Sequence, residues 1–370
     1  MTQKAFIAVA AVLLAVGVSQ LITNTHDQAS MTSLHNLSTE LVFAFKQWKL
    51  THKKSYLSPR EELYRIWVFA KHLKTTQNHN KNNKKAKFKL GVNKHSDLTD
   101  EEYSARFLNP APKQATSDGL GAGLERRVLT DEILQKSKKA KSGLQQHTGR
   151  LSYDYRDHQK VSRVRDQKGC AASWAFAAAG AMEQYFSYNK PKELSAQQLI
   201  DCSGKYGTKG CSGGDPYTAL TYAADRGMDT ASYYPYFAQQ EPCYYKSSKA
   251  VYAPGLPYVV KKDEFHLKAA VDVTTIPVGL YSLPWRHYVM GLYDDYGACV
   301  ADFKKIDYYG LIVGYGYEGP DEKNNYFKYW IVKTSLGINW GEAGYIRLAR
   351  KDSGPGICGI ALSATFIPSN

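Results

Sequence analysis

The chain has 370 residues, of which 43% are hydrophobic and 22% charged, so it can form two or three structural units and is too apolar to be disordered throughout. The formal net charge of +14 is concentrated in residues 1–150, which carry +12, whereas residues 151–370 carry +2. No nucleic-acid-binding module is recognisable, so nucleic acid is excluded as a partner, and the basic and near-neutral parts are expected to have different roles.

Residues 1–20 have the features of a secretory signal peptide. Lys4 precedes an unbroken apolar run from Ala5 to Val18, and the small residues that follow offer cleavage sites. This run is shorter than the roughly 20 residues of a membrane helix, and no other run approaches that length, so no stable membrane span is expected. A signal anchor is the alternative. We therefore expect a protein of the secretory pathway, either extracellular or delivered to a lysosome or vacuole.

Two amphipathic helices and a short strand are predicted next in the chain. The first helix covers residues 39–55, with Phe45 and Trp48 on one face. The second begins at residues 58–61, where Ser-Pro-Arg-Glu forms a capping box with proline at the first helical position. The strand covers residues 88–92. Residues 108–150 are rich in Ala, Gly, Ser, Gln and Lys, which predicts an exposed linker open to proteolysis.

From residue 151 onward the pattern is that of a globular body. Residues 173–185 are apolar on nearly all sides, which predicts a buried helix, and Ser195 caps a further helix. Strands are predicted near residues 258–260, 278–280, 311–313, 329–332 and 345–348. Helices first and strands later indicate an α+β fold in two halves.

Six cysteines lie in this body, and none precedes residue 170. An even number in a secreted chain favours three disulfides, although spacing alone leaves all 15 pairings open. A zinc site is the alternative, but no paired Cys-x-x-Cys motif is present, so no metal is predicted. No phosphate loop or nucleotide motif is present either, so no cofactor is expected.

Several motifs resemble those of papain-family cysteine proteases. Residues 167–176 read Gln-Lys-Gly-Cys-Ala-Ala-Ser-Trp-Ala-Phe, where the family has Q-G-x-C-G-S-C-W-A-F. Residues 194–202 match L-S-x-Q-x-x-x-D-C, residues 210–214 match G-C-x-G-G, and residues 340–345 match W-G-E-x-G-Y. The resemblance implies a papain-like, two-domain body over residues 151–370, with a helical left domain and a β-barrel-like right domain.

The N-terminal part resembles the family's inhibitory propeptide, which implies a helical prodomain over residues 39–107. His72, Thr76 and His95 replace the usual residues of the propeptide pattern. The matching positions are Glu61, Arg65, Phe69, Asn80, Gly91, Asn93 and Asp97.

The resemblance also implies disulfide pairing and binding residues. The implied disulfides are Cys170–Cys211, Cys202–Cys243 and Cys299–Cys358. Gln167 matches the oxyanion-hole residue of the family, and Trp340 matches the aromatic that lines the leaving-group side. Gly213 and Gly214 match the residues whose backbone pairs with an extended peptide.

All three reacting positions of the family are altered in this chain. Ser173 stands at the position of the nucleophilic cysteine, Tyr308 at that of the histidine and Thr334 at that of the asparagine. A serine needs a base to become a nucleophile, and a phenol with a pKa of about 10 is no base at lumenal pH. Gln167 and the backbone N–H of residue 173 retain only the oxyanion-hole contribution.

The expected function is therefore that of a pseudoprotease that binds a peptide or protein in its cleft, or engages a papain-like protease or protease inhibitor. A weak endopeptidase or serine-based hydrolase is one alternative, for which His158, His266 or His287 would have to supply the base. The other alternative is inhibition of active relatives in trans by the prodomain. A body of this kind cannot cut its own linker, so another protease must cut it or it stays intact.

Overall fold

The computed structural model describes residues 39–110, 126–140, 150–186, 192–245, 250–320 and 325–368. The predicted signal peptide lies outside these ranges. The chain divides into two compact units with a boundary between His72 and Leu73. Of the described helices, none combines the length and the apolarity that crossing a bilayer requires.

The first unit consists of helix α1 (Thr39–Thr51) and the first half of helix α2 (Pro59–Asn82), which continues across the boundary. Phe69 packs against Phe45 and Trp48, with ring centroids 5.4 and 5.1 Å apart, and these rings form the core of the unit. Half of the predicted capping box is present, because Ser58 Oγ accepts a hydrogen bond from the Glu61 N–H at 3.2 Å. The Glu61 carboxylate in turn accepts from Leu57 N and lies 3.7 Å from Arg65.

The second unit begins with short elements that join the end of α2 to the body. These are strand β1 (Phe88–Leu90), helix α3 (Asp100–Phe107) and helix α4 (Asp131–Ala140). Asn80 joins the end of α2 to β1, because its side-chain amide donates to Leu90 O at 2.7 Å and accepts from Leu90 N at 3.1 Å. Thr99 and Glu102 form a capping box at the start of α3.

The body contains a helical half and a sheet half. Its elements in chain order are β2 (Tyr153–Asp154), α5 (Ser173–Tyr185), α6 (Ala196–Cys202), α7 (Pro216–Arg226), β3 (Tyr258–Val259), α8 (Glu264–Val271), β4 (Ile276–Leu280), β5 (Tyr288–Tyr293), β6 (Tyr308–Glu318), β7 (Phe327–Lys333), β8 (Tyr345–Ala349) and β9 (Thr365–Phe366). The α+β prediction is confirmed. All five strands predicted in the body are present, whereas β2, β5, β9, α7 and α8 were not predicted because their patterns are short or mixed.

Within the described residues, seven strands form one sheet in the order β1-β5-β8-β7-β6-β2, with β4 also paired to β6. The neighbours are antiparallel except for β5 and β8, and β3 and β9 form a separate two-stranded sheet. This sheet is open, which corrects the predicted barrel-like domain. The long strand β6 can pair with three neighbours because its two ends contact different partners.

Two apolar cores support this arrangement. One surrounds α5, which is buried along nearly its whole length because alanines and other apolar residues occupy all its faces. The other lies under the sheet and is rich in aromatic side chains. The disulfides Cys170–Cys211, Cys202–Cys243 and Cys299–Cys358 are all present, with the pairing that the resemblance implied.

A buried charge cluster links α5 to strand β7. Glu183 is fully buried and accepts hydrogen bonds from Arg165 at 2.6 Å, from Leu194 N at 2.9 Å and from the Ser162 hydroxyl. The Lys333 ammonium donates to Ser162 Oγ at 2.8 Å. Burial lowers the pKa of Lys333 to about 8, and the nearby Glu183 carboxylate opposes this change.

We expect Glu183→Ala to lower the free energy of unfolding by about 3–5 kcal/mol, because it leaves two buried cations without their carboxylate. Urea unfolding followed by circular dichroism measures this change. The matched control is Arg163→Ala, since Arg163 pairs with Glu193 on the surface and its side chain is 75% exposed. This control should cost about 0–1 kcal/mol. Equal losses in the two variants would contradict the structural role of the buried cluster.

Candidate active site

Ser173 is the first residue of α5 and is completely buried. Its hydroxyl oxygen accepts two hydrogen bonds, one from the Asn109 side-chain amide at 2.9 Å and one from the Tyr309 backbone N–H at 3.0 Å. Both partners are hydrogen-bond donors, and neither can take a proton. Within the described part of the chain, no imidazole or carboxylate hydrogen-bonds to this oxygen.

Tyr308, at the start of β6, is buried and belongs to a closed hydrogen-bond network. Its oxygen accepts from Ser335 N at 2.7 Å and lies 2.9 Å from Ser335 Oγ, which donates to Gln167 Oε1 at 2.7 Å. Since the Ser335 proton is used on Gln167, the Tyr308 hydroxyl donates to Ser335. Burial raises the pKa of Tyr308 to about 12. The phenol is therefore neutral, and its proton is donated to Ser335.

Thr334 follows β7. Its hydroxyl donates to Gly344 O at 2.9 Å and accepts from Leu336 N at 3.3 Å, and both bonds remain within the loop formed by residues 334–344. The Thr334 side chain also contacts Tyr308, where it opposes the rise of the phenol's pKa that burial causes.

Gln167 retains the position of an oxyanion-hole residue, but its amide is already occupied. Its Nε2 donates to Phe107 O at 2.9 Å and to Cys170 O at 3.0 Å. Phe107 is the last residue of α3, so a carbonyl of the chain itself lies where the group would meet a substrate oxygen. In the intact chain, both hydrogen bonds of this amide are therefore made to the chain's own carbonyls.

Residues 107–110 cross the site. Asn109 N donates to Asp307 O at 2.7 Å, and Asn109 Oδ1 accepts from Gly214 N at 3.3 Å. A side chain at Gly213, which has φ of +117°, would approach Pro110 Cδ to 2.8 Å. The predicted peptide-pairing glycines thus contact the chain itself.

The prediction of an exposed linker over residues 108–150 is wrong at two places. Leu108 is buried in the core beneath the sheet, and Asn109 is buried because it hydrogen-bonds to Ser173 and Asp307. Leu129 and Leu134 are also buried, because the segment around α4 packs on the body. Residues 111–125 and 141–149 lie outside the described residues.

Arg286 connects residues 93–100 to the body. Its side chain is only 3% exposed and donates to Asp100 at 2.5 Å and to the carbonyls of His95 and Leu98, both at 3.0 Å. Its own carbonyl accepts from the Asn93 amide at 2.7 Å and from Trp340 Nε1 at 3.0 Å. One residue therefore satisfies polar groups from both sides of this contact.

The remaining predicted positions support this contact. Gly91 N donates to His287 O at 2.9 Å, and a side chain at Gly91 would meet Val289 at 2.8 Å. Asp97 is buried. Trp340, predicted to line the cleft, is 2% exposed and packs on Trp285 and Tyr288, with centroids 5.4 and 5.8 Å apart.

The substituted propeptide position 95 still fulfils a packing role. The His95 ring lies 4.3 Å from the Phe107 ring and 5.5 Å from the Tyr103 ring, measured between centroids. An imidazole thus takes the place of the family's aromatic residue in an aromatic cluster.

None of the histidines considered as a substitute base hydrogen-bonds to Ser173. His158 stacks on Tyr153 at 5.0 Å, and His266 lies 3.7 Å from Asp263. His287 contributes its carbonyl to Gly91. Within the described residues, no group of three or more His, Cys, Asp or Glu side chains is placed to hold a metal ion.

Sequence reasoning missed two residues of this site. Ser335 follows Thr334 in the sequence, yet its link between Tyr308 and Gln167 depends on the packing of β6 against β7. Asn109 carries no sequence signal, because an asparagine before a proline is typical of any turn.

Comparisons with known proteins agree with this geometry. Residues 150–367 match the papain family of cysteine proteases, and residues 45–103 match the cathepsin propeptide inhibitor domain. The chain is 34% identical over 351 residues to a cathepsin L-like peptidase of Aedes aegypti, covering 91% of this chain and 95% of the relative. It is 29% identical to cathepsin L 2 of Paramecium tetraurelia, covering 96% of this chain and 99% of the relative.

Solved proforms have the same fold. The structure of digestive procathepsin L2 proteinase from the larval midgut of Tenebrio molitor superposes with a TM-score of 0.73 at 30% identity, covering 89% of this chain and 99% of that one. The recombinant stem bromelain precursor superposes with a TM-score of 0.71 at 28% identity, with the same coverage of both chains.

A titratable carboxyl next to Tyr308 gives a pH prediction. Burial raises the pKa of Asp307 to about 7, although a hydrogen bond from Ser282 N at 2.7 Å opposes the rise. An unfolded aspartate releases its proton at about pH 4, so the folded state binds the extra proton between about pH 4 and 7. The contribution of this group to stability therefore falls as the pH rises through that window.

We expect Asp307→Asn to reduce the change of Tm with pH between 4 and 7, because the variant has no proton to release at this position. Thermal unfolding at several pH values from 4 to 8 measures it. Asp131→Asn, at an exposed position of α4, is the control and should leave the profile unchanged. An unaltered profile in Asp307→Asn would show that this carboxyl does not titrate as described.

Proposed function

Because the chain belongs to the papain family of cysteine proteases and carries a cathepsin propeptide inhibitor domain, we propose that it is a non-catalytic member that acts by binding. The observation that carries this proposal is the pair of amide donors on Ser173 Oγ, with Tyr308 and Thr334 bonded elsewhere. In a comparable hydrolase, loss of the nucleophile or of the base costs about 10⁶-fold in rate. Here both are replaced.

The proposed binding activity belongs to a chain whose cleft is filled by its own residues. The Phe107 carbonyl accepts a hydrogen bond from the Gln167 side-chain amide, and the Asn109 side chain hydrogen-bonds to both Ser173 and Gly214. A peptide can reach this cleft only after residues 107–110 leave it. In the intact chain we therefore propose a protein partner, such as a protease or a protease inhibitor, that binds the outer surface. Engagement of residues 86–110 in cis argues against their inhibiting another protease in trans.

One observation favours a serine-based hydrolase as a second candidate. Ser173 and Lys333 line the same small cavity of about 10 Å³, and burial lowers the Lys333 pKa to about 8. A neutral lysine could in principle serve as a base. However, Lys333 donates to Ser162 rather than to Ser173. This bond favours the binding role over the hydrolytic one.

We also propose that the protein passes through the secretory pathway to a lumenal or extracellular site. The support is the signal-peptide pattern at residues 1–20 together with three disulfides, which persist in oxidising compartments. The body, on this proposal, relies on another protease for any processing.

We expect no turnover of fluorogenic peptides by the full chain at pH 4–7, either before or after limited cleavage by an added protease that is then inhibited. Ser173→Ala should give the same background signal, because no base activates the Ser173 hydroxyl in the unaltered chain. Turnover that disappears in Ser173→Ala would refute the binding role, and loss in Lys333→Met as well would identify the base. The combined variant Ser173→Cys, Tyr308→His and Thr334→Asn tests whether the scaffold still supports catalysis.

Occupation of the cleft by residues 107–110 can be measured with Ser173→Cys in the full chain. The introduced thiol should react with a thiol reagent at least about tenfold more slowly than in the double variant with Asn109→Ala, because Asn109 covers position 173. Thr130→Ala, which is remote from the cleft in sequence, is the matched control for the second substitution. Equal labelling rates with and without Asn109 would contradict an occluded cleft. Peptide mapping identifies the labelled cysteine.

A further inference from the structure

Residues 126–129 are bound to the body as an added strand. Val128 pairs in parallel with Val259 of β3. Val259 N donates to Arg127 O at 2.7 Å, and Leu129 N donates to Val259 O at 2.9 Å. On its other side β3 is paired with β9, so residues 126–129 cover the outer edge of this two-stranded sheet. An uncovered edge would present the unpaired N–H and C=O of Val259.

The two arginines of this segment are recognised by different groups. The Arg126 guanidinium lies 3.2 Å from Asp215 and over the Tyr217 ring at 5.0 Å. The Arg127 guanidinium lies over the Tyr258 ring at 4.5 Å. The backbone N–H of Arg127 donates to the Tyr217 hydroxyl at 3.0 Å. A carboxylate and two aromatic faces together favour two successive cations over neutral residues.

Apolar anchors follow the arginines. Leu129 and Leu134 are each 7% exposed and belong to the core beneath the sheet, whereas Val128 between the arginines and Leu129 is 55% exposed. Arg127 and Val128 are both exposed, so Leu129 is the side chain that anchors the end of this strand in the core. Helix α4 begins directly after it, with Thr130 Oγ1 accepting from Ile133 N at 3.4 Å.

We propose that the outer edge of β3, together with Asp215, Tyr217 and Tyr258, is a peptide-binding site for an extended segment of the form Arg-Arg-x-Leu. Residues 126–140 are its ligand in this protein and stay bound when the chain is cut on both sides of them. This mode is strand addition, in which main-chain hydrogen bonds supply affinity and side-chain contacts supply specificity. It is separate from the contacts of residues 107–110 and does not depend on whether the protein is catalytic.

The test uses the full chain with the recognition sequence of a site-specific protease inserted after residue 118 and after residue 144. Cleavage at both insertions is verified by denaturing mass analysis, and the product is then separated by native gel filtration. We expect the fragment that contains residues 126–140 to elute with the body. Elution of this fragment as a separate species at micromolar concentration would overturn the proposal.

Specificity is measured by exchange, which leaves the body unchanged. A fluorescent synthetic peptide of residues 126–140 should replace the bound fragment, and the fluorescence anisotropy of this peptide should rise when it binds. The peptide with Arg126→Gln, Arg127→Gln and Leu129→Asp should bind at least about tenfold more weakly, whereas Lys139→Gln, at an exposed position of α4, should bind as the unaltered peptide does. Equal binding of all three peptides would overturn the assignment of the site to paired arginines.

Discussion

The two hydrogen bonds that Ser173 Oγ accepts limit the chemistry that is available in this cleft. The Ser173 hydroxyl accepts hydrogen bonds from the N–H groups of Asn109 and Tyr309, and neither group can accept its proton. The pKa of a serine hydroxyl is too high for it to ionise without a base. The position of the helix α5 does not remedy this, since a helix N-terminus contributes at most about 2 kcal/mol. On the proposed binding role, the site keeps the papain-like fold without the proton transfer that proteolysis needs.

The substituted residues form a satisfied polar network rather than a damaged site. Ser335 donates to Gln167 and bonds twice with Tyr308, while Gln167 donates to Phe107 O. A buried network in which every group has a partner stabilises a fold, whereas unpaired buried groups are costly. Through Gln167 this network also holds the chain's own segment in the cleft.

Two further contacts fix the N-terminal segments of the second unit to the body. Arg286 satisfies polar groups on both sides of the contact with residues 93–100, and β3 accepts residues 126–129 as an added strand. The chain before the body is thus attached to it at two points, residues 93–100 and residues 126–129. The composition of residues 108–150 is that of a linker, yet Leu108, Leu129 and Leu134 are buried and are part of the structure.

Motifs with fixed spacing could be interpreted from the sequence alone, because residues close in the chain determine them. The cap at Ser58, the buried helix at Ser173 and the substitutions at 173, 308 and 334 are of this kind, whereas the disulfide pairing followed from the resemblance and not from the spacing. Other features join residues that are far apart in the chain. They are the open sheet, the hydrogen bond from Ser335 to Gln167, the hydrogen bond from Asn109 to Ser173 and the pairing of Val128 with Val259. Only the tertiary structure decides such contacts, because they depend on which surfaces meet, and local propensity carries no information about that.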